Sequence, residues 1–388
     1  MMIEILTERL WDCKCPRYKG FSTPAPSGAR PGYNPAMRAF RVSRHGGPEA
    51  LEWVEVPRPV PRADEVLVRV RACAVNHLDL WLRRGVEGYT FPLPLIPGSE
   101  ISGWVADVGE AARGVEIGQP VLLAPGVSDN LAAIEAGREM ISRGYGLLGE
   151  HRDGGYAEYV AVPRRNVLPA PRDLPLVAAA ALPLVFLTAW HMLAVRAGLE
   201  RHEDVLIHAA GSGVSSAAIQ IARLLGARHV IVTAGSDDKL ERARALGATR
   251  LVNYRQEDFV AVARHVTGRK GVEVVLDHVG GEVFERSLDA LAWGGRLVLC
   301  GATSGHLAQV NLRAVFFKSL SILGSTMGTL AELRAVLRHV EAGLLHPVID
   351  STYPLEQAAE AQRRLEERDV FGKIMLTVGK EDPTDGGT

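Results

Sequence analysis

The chain's most informative run of residues is Val205-Leu206-Ile207-His208, followed by Ala209-Ala210-Gly211-Ser212-Gly213-Val214-Ser215. An apolar strand, a turn of small residues and the start of a helix make a place for a pyrophosphate. Small side chains let the backbone come close, and the free N–H groups and positive dipole end of the helix meet the negative charge. Three glycines of the G-x-G-x-x-G dinucleotide fingerprint are replaced, by Ala210, Ser212 and Ser215, so the turn gains its meaning from the alternating strands and helices around it. At the end of the next strand the chain reads Thr233-Ala234-Gly235-Ser236, with no carboxylate to accept from a ribose 2′-hydroxyl. A 2′-phosphate is not repelled there, and Ser236, Lys239, Tyr254 and Arg255 lie close enough in sequence to hold it. NADPH is therefore expected over NADH, with Asp237 and Asp238 serving as charge at a helix N-terminus.

Metal chemistry has less support. Among twelve His and four Cys, His77, His151, His191 and His278 stand near motif segments, but no helical His-x3-His pair and no Cys cluster accompanies them. Cys13-x-Cys15 has no further thiol or imidazole near it, and is expected to be inert.

These residues need a scaffold of two domains, which 388 residues favour because a single core stops growing before that length. A composition 47% apolar with 40 glycines supplies real cores and many turns. The charges, 44 Lys and Arg against 45 Asp and Glu, leave no basic excess for nucleic acid or anionic lipid. The longest apolar stretch, Leu174 to Trp190, is shorter than the roughly 20 residues of a membrane span and is interrupted by Pro175 and Pro183. Few cysteines and no signal-peptide pattern set a reducing cytoplasm as the expected location.

Residues 1–36, rich in Pro and Gly, are expected to be an irregular tail, and 381–388 a flexible one. Short β runs follow: Met37–Val42, Leu51–Val56, Glu65–Cys73, Ser102–Val108, Val121–Leu123 and Tyr156–Val162, a partial barrel. Then strands Val205–His208, His229–Thr233, Arg250–Asn253, Val272–Leu276, Arg296–Cys300 and Leu320–Leu323 alternate with helices, predicting a doubly wound parallel sheet. Helices Ser215–Leu225 and Lys239–Leu246 stop at Gly226 and Gly247. Helices Leu330–Glu341 and Leu355–Arg368 precede a last strand, Lys373–Val378.

The order of motifs resembles the medium-chain dehydrogenase/reductase superfamily, in its zinc-free quinone oxidoreductase-like branch, from about Met37 to Val378. The residues that carry the resemblance are His45-Gly46-Gly47-Pro48-Glu49, Val75-Asn76-His77-Leu78-Asp79, Pro97-Gly98-Ser99-Glu100, Gly154-Gly155-Tyr156-Ala157-Glu158-Tyr159, Leu187-Thr188-Ala189-Trp190, the phosphate turn, Asp277-His278-Val279-Gly280-Gly281 and Phe371-Gly372-Lys373. The resemblance implies an α/β fold in which a GroES-like catalytic domain (37–163 and 328–380) and a Rossmann domain (164–327) face each other across a cleft, commonly as dimers or tetramers. Where zinc-dependent members place Cys, His and a further Cys or His, this chain has Asn76, Ser99 and Leu184. An amide, a hydroxyl and an alkyl group do not make a catalytic zinc site. The family's structural zinc lobe corresponds to Ser128–Tyr145, which has no Cys.

Without a Lewis acid, the chemistry expected is hydride transfer to a quinone or an enone, whose conjugation already activates it. The resemblance places Asn76 and Thr188 beside the nicotinamide, and Val279, Gly301, Ala302 and Ser325 along its ribose and amide. Asn76 is the leading contact for a developing enolate oxygen; the proton could come from solvent, His77 or Asp79, because Trp81 stands where relatives often have Tyr. Two alternatives stay open: a metal-independent carbonyl or alcohol oxidoreductase of the same fold, and an NADPH-binding protein without turnover. Acceptor choice is expected to lie in the loops Trp81–Phe91 and Ser128–Tyr145.

Overall fold

The computed structural model describes residues 35–379, and no described helix is long and apolar enough to cross a membrane. Cys13-x-Cys15, nearly all of the N-terminal tail and the 381–388 tail lie outside the described residues.

Two sheets carry the chain. The first has the order Ile349–Pro354, Lys373–Thr377, Glu65–Ala74, Glu100–Val108, Pro120–Leu123, Val167–Pro169, with Tyr159–Pro163 also paired to Glu65–Ala74. Its long central strand, Glu65–Ala74, reads almost unbroken burial because both faces are covered. The predicted β runs are all present, and the sheet wraps around Val66, Val68, Val70, Ile101, Val121, Leu123 and Tyr156. Ala36–Val42 and Leu51–Pro57 form a separate antiparallel pair.

The second sheet has six strands, all parallel, ordered Arg250–Asn253, Val230–Ala234, Val205–Ile207, Val272–Asp277, Leu291–Leu299, Ser321–Gly324. The order reverses beside Val205–Ile207, the switch point where open α/β sheets bind ligands. Helices Gly213–Leu224 and Asp237–Ala245 end before Gly226 and Gly247, both with positive φ as their C-terminal positions require.

One expected boundary moves. Helix Leu330–Glu341, assigned from sequence to the catalytic domain, buries Leu333, Val336, Leu337 and Val340 in the same core as Val185, Ile207, Ile219 and Val232. The chain returns to the catalytic sheet only with Ile349–Pro354 and Lys373–Thr377. Periodicity marked that helix correctly but could not say which sheet its apolar face covers. The expected helix Leu355–Arg368 is shorter, a 3-10 turn Leu355–Gln357 leading into Ala358–Glu366.

Candidate active site

A cleft of about 640 Å³ opens between the two sheets, within the range of small-molecule sites. Its cofactor side is the phosphate turn. Ser212 caps helix Gly213–Leu224, its hydroxyl accepting from Ser215 N at 3.0 Å, so the helix's positive end faces the cleft. His278 Nε2 lies 3.0 Å from Ser212 Oγ and 2.9 Å from Ser215 Oγ, tying the turn to the end of strand Val272–Asp277. A Cβ on Gly211 would lie 2.8 Å from Val370 O, and one on Gly213 2.6 Å from Lys373 Cδ. These two glycines, which lie between the substituted fingerprint positions, are therefore required by close approach.

Of the expected cofactor residues, Gly211, Ser212, Gly213, Val214, Lys239, Tyr254, Val279, Gly301 and Ser325 all line the cleft. Ser325 Oγ is buried with no partner among the described residues, a hydroxyl available to a ligand. Ala210, Ser236 and Ala302 are not on the cleft wall. Ala210 is buried in the core beside the turn, where it serves packing. Strand Val230–Ala234 ends without a carboxylate, and Asp237 is engaged by Asn253 Nδ2 at 2.7 Å. These features fit a dinucleotide: a helix end and bare backbone for pyrophosphate, and Lys239 and Tyr254 at the adenosine end.

The catalytic side differs from expectation at two residues. Asn76 lines the cleft, but its amide is already engaged: Nδ2 donates to Ala74 O (3.1 Å) and Glu100 Oε2 (3.2 Å), and Oδ1 accepts from Lys373 Nζ at 2.6 Å. It has no donor left for a substrate oxygen. Asp79 is fully buried and off the cleft, accepting from Asn76 N, Gly98 N and Tyr156 Oη at 2.8–3.1 Å. Burial pushes its carboxyl up to about 6, against those hydrogen bonds. Asp79 thus closes the N-terminus of helix His77–Arg84 and positions its neighbours. Thr188 lines the cleft as expected, its hydroxyl directed among the described residues only at Met327 Sδ, 3.8 Å away.

His77, next to Asn76, faces the cleft with no hydrogen bond from its ring to any described residue. Burial, reinforced by His278, Lys373 and Arg368, lowers its pKa to about 4. It is a neutral imidazole with one N–H to donate. Burial likewise lowers His278 to about 4, and holds the Cys300 thiol up at about 12, so neither is ionised at neutral pH. Trp81 reaches across, its ring edge 3.9 Å from where a side chain on Gly301 would begin.

Sequence reasoning gave Lys373 no role, yet it is central. Its Nζ lies 2.8 Å from Glu100 Oε2, 2.6 Å from Asn76 Oδ1 and 2.9 Å from Val75 O. Glu100 Oε1 in turn accepts from the backbone N–H of Leu184 and Val185. The three positions that hold ligands in zinc-dependent members thus carry an amide bound to an ammonium, an alkyl chain, and Ser99, whose hydroxyl donates to Leu148 O at 2.7 Å. This donor set does not fit a zinc ion. No group of three or more His, Cys, Asp or Glu suited to a metal occurs among the described residues. Arg368, also on the cleft and held at positive φ, was likewise invisible in sequence.

Comparison with known proteins agrees with this architecture. Residues 62–172 match the family described as alcohol dehydrogenase GroES-like domain, and 213–342 that described as zinc-binding dehydrogenase. The chain is 30% identical to a quinone oxidoreductase of Homo sapiens over 85% of this chain and 94% of the relative. Among solved structures, an NAD-dependent alcohol dehydrogenase superimposes with TM-score 0.85 at 48% identity, covering 88% of this chain and all of that one. The 2-octenoyl-CoA carboxylase reductase CinF, in complex with NADP and 2-octenoyl-CoA, gives 0.79 at 26% identity over 92% and 88% of the two chains. The chain belongs to the medium-chain dehydrogenase/reductase superfamily.

Proposed function

We propose that the protein is an NADPH-dependent reductase that adds hydride to a conjugated carbonyl, a quinone or an enone, without catalytic zinc. The observation that carries this reading is the Lys373 ammonium bonded to Glu100 and Asn76, a fixed positive charge at the polar centre beneath the cleft. A second cation there would meet repulsion instead of ligands. The bound coenzyme supplies the hydride. The chain's part is to hold the two reactants in register, exclude water with Leu78, Trp81 and Leu184, and offer donors to the oxygen on which charge develops. The neutral His77 N–H and the Thr188 hydroxyl are those donors. Proton delivery to the product falls to solvent, because Asp79 is off the cleft and neutral His77 is a poor acid. Lys239 at the carboxylate-free strand end favours NADPH, as does the NADP and enoyl ligand of CinF.

A second reading, a metal-independent alcohol or carbonyl oxidoreductase using NADH, is favoured by the 48%-identical NAD-dependent alcohol dehydrogenase. Dialysis against EDTA followed by zinc addition tests the zinc-free assignment. We expect kcat/KM for NADPH-driven enone reduction to stay within about twofold throughout, because the ammonium already occupies the site. Loss in EDTA with recovery in zinc overturns the assignment.

A further inference from the structure

The cleft wall contains a single carboxylate among the described residues, Glu150, and neither coenzyme binding nor hydride transfer uses it. Its surroundings hold it in a defined state. Leu147 N donates to His151 Nδ1 at 3.2 Å, so that nitrogen is the acceptor of the ring. Burial lowers the pKa of His151, keeping the ring neutral with its one proton on Nε2. Nε2 lies 3.0 Å from Tyr89 Oη and therefore donates to it, which turns the phenol proton toward Glu150 Oε1, 2.9 Å away. The chain of donors runs one way, His151 to Tyr89 to Glu150, and ends on an acceptor. Glu150 Oε2 makes no hydrogen bond to any described residue and stands 3.6 Å from His151 Nδ1, itself an acceptor.

We propose that Glu150, positioned by Tyr89 and His151, is the specificity-determining residue of the acceptor site, selecting substrates that carry a hydroxyl group besides the reducible carbonyl. This rests on the reductase reading above. The free carboxylate oxygen is an acceptor in a cleft whose wall also carries the apolar Leu78, Trp81, Leu147 and Leu184, so a substrate lacking a donor leaves it desolvated and unpaired. Lys239 and Arg368 on the same cleft disfavour a cationic donor, which leaves hydroxyl as the matching group. Tyr89 lies in one of the two loops expected from sequence to govern acceptor choice, and Glu150 just beyond the other.

The probes are 4-hydroxycyclohex-2-enone and its methyl ether, which share the enone and differ in the donor. With NADPH we expect wild-type kcat/KM to favour the alcohol about tenfold, as expected of a charge-assisted hydrogen bond. The ratio should fall to about one in Glu150→Leu and to an intermediate value in Glu150→Gln and Tyr89→Phe, which keep side-chain size if the Leu variant fails to fold. Calorimetric binding of the same pair to the NADP⁺ complex reads recognition without turnover, so absence of enone reduction would sink the reductase reading and leave this inference testable. Equal binding of alcohol and ether by the wild type, or a ratio that survives in Glu150→Gln and Tyr89→Phe alike, overturns it.

Discussion

Lys239 and Asp79, both expected at the site, part company in the structure: one lines the cleft and the other is buried away from it. Lys239 was expected on the coenzyme, and it lines the cleft while its Nζ donates to Arg368 O at 2.6 Å. A 2′-phosphate offers that ammonium a charged partner in place of a carbonyl. We predict that Lys239→Ala lowers the NADPH-to-NADH ratio of kcat/KM about tenfold, consistent with loss of one charge-assisted contact; an unchanged ratio would remove Lys239 from the phosphate site. Asp79 is expected from sequence among the sources of the proton, beside solvent and His77, but its place in the chain does not show that three buried donors point at it. Asp79→Ala should therefore act on stability, by about 3 kcal/mol in denaturant unfolding, because Asn76 N, Gly98 N and the Tyr156 hydroxyl lose their shared acceptor. His77 and His278, both with pKa near 4, stay neutral on this account down to about pH 5. Their folded pKa values lie below the unfolded value, so they contribute stability above pH 6.5 that is lost as pH falls toward 4. The pH profile of kcat/KM should show no histidine ionisation between pH 5.5 and 8, and an inflection near 6.5 would contradict a neutral His77.

Among the elements, the Rossmann strands and the phosphate turn were legible because their signals are local: apolar runs of fixed length, glycines at helix ends, small residues before a helix. What stayed hidden depended on segments far apart in sequence, such as Lys373 meeting Glu100 and Asn76, or Leu330–Glu341 choosing its core. The last Rossmann strand, Ser321–Gly324, is paired on one side only among the described residues. Ile322 on it and Leu312, Phe316 and Phe317 on the preceding helix are exposed, the last three by more than 60%. We infer that a second copy covers this edge in a two-fold dimer, since an open edge with apolar neighbours invites pairing. Light scattering should give a dimer or tetramer for the wild type and a smaller particle for the Ile322→Lys, Phe317→Glu double variant. A wild-type monomer would refute the interface.

At the scale of the molecule, the segment 368–373 binds the two halves together. Gly372 N donates to Gly211 O at 2.9 Å, Arg242 reaches Phe371 O, and Lys373 turns back to Glu100. The catalytic sheet thus grips the phosphate turn directly, so coenzyme binding and domain docking share residues. Lys373→Met should cost about 3–5 kcal/mol, because the Glu100 carboxylate is left buried without its partner, and adding Glu100→Gln should recover much of that loss. Additive losses in the double variant would show that the pair does not act as a unit.

The most direct test of the central claim is the rate of NADPH and NADH oxidation by the untreated protein with an ortho-quinone, an enone and a simple ketone. A zinc-free enone or quinone reductase should turn over the quinone or the enone, with NADPH preferred, and little of the ketone. Turnover of the ketone alone, with NADH preferred, would contradict it and support the alcohol dehydrogenase reading.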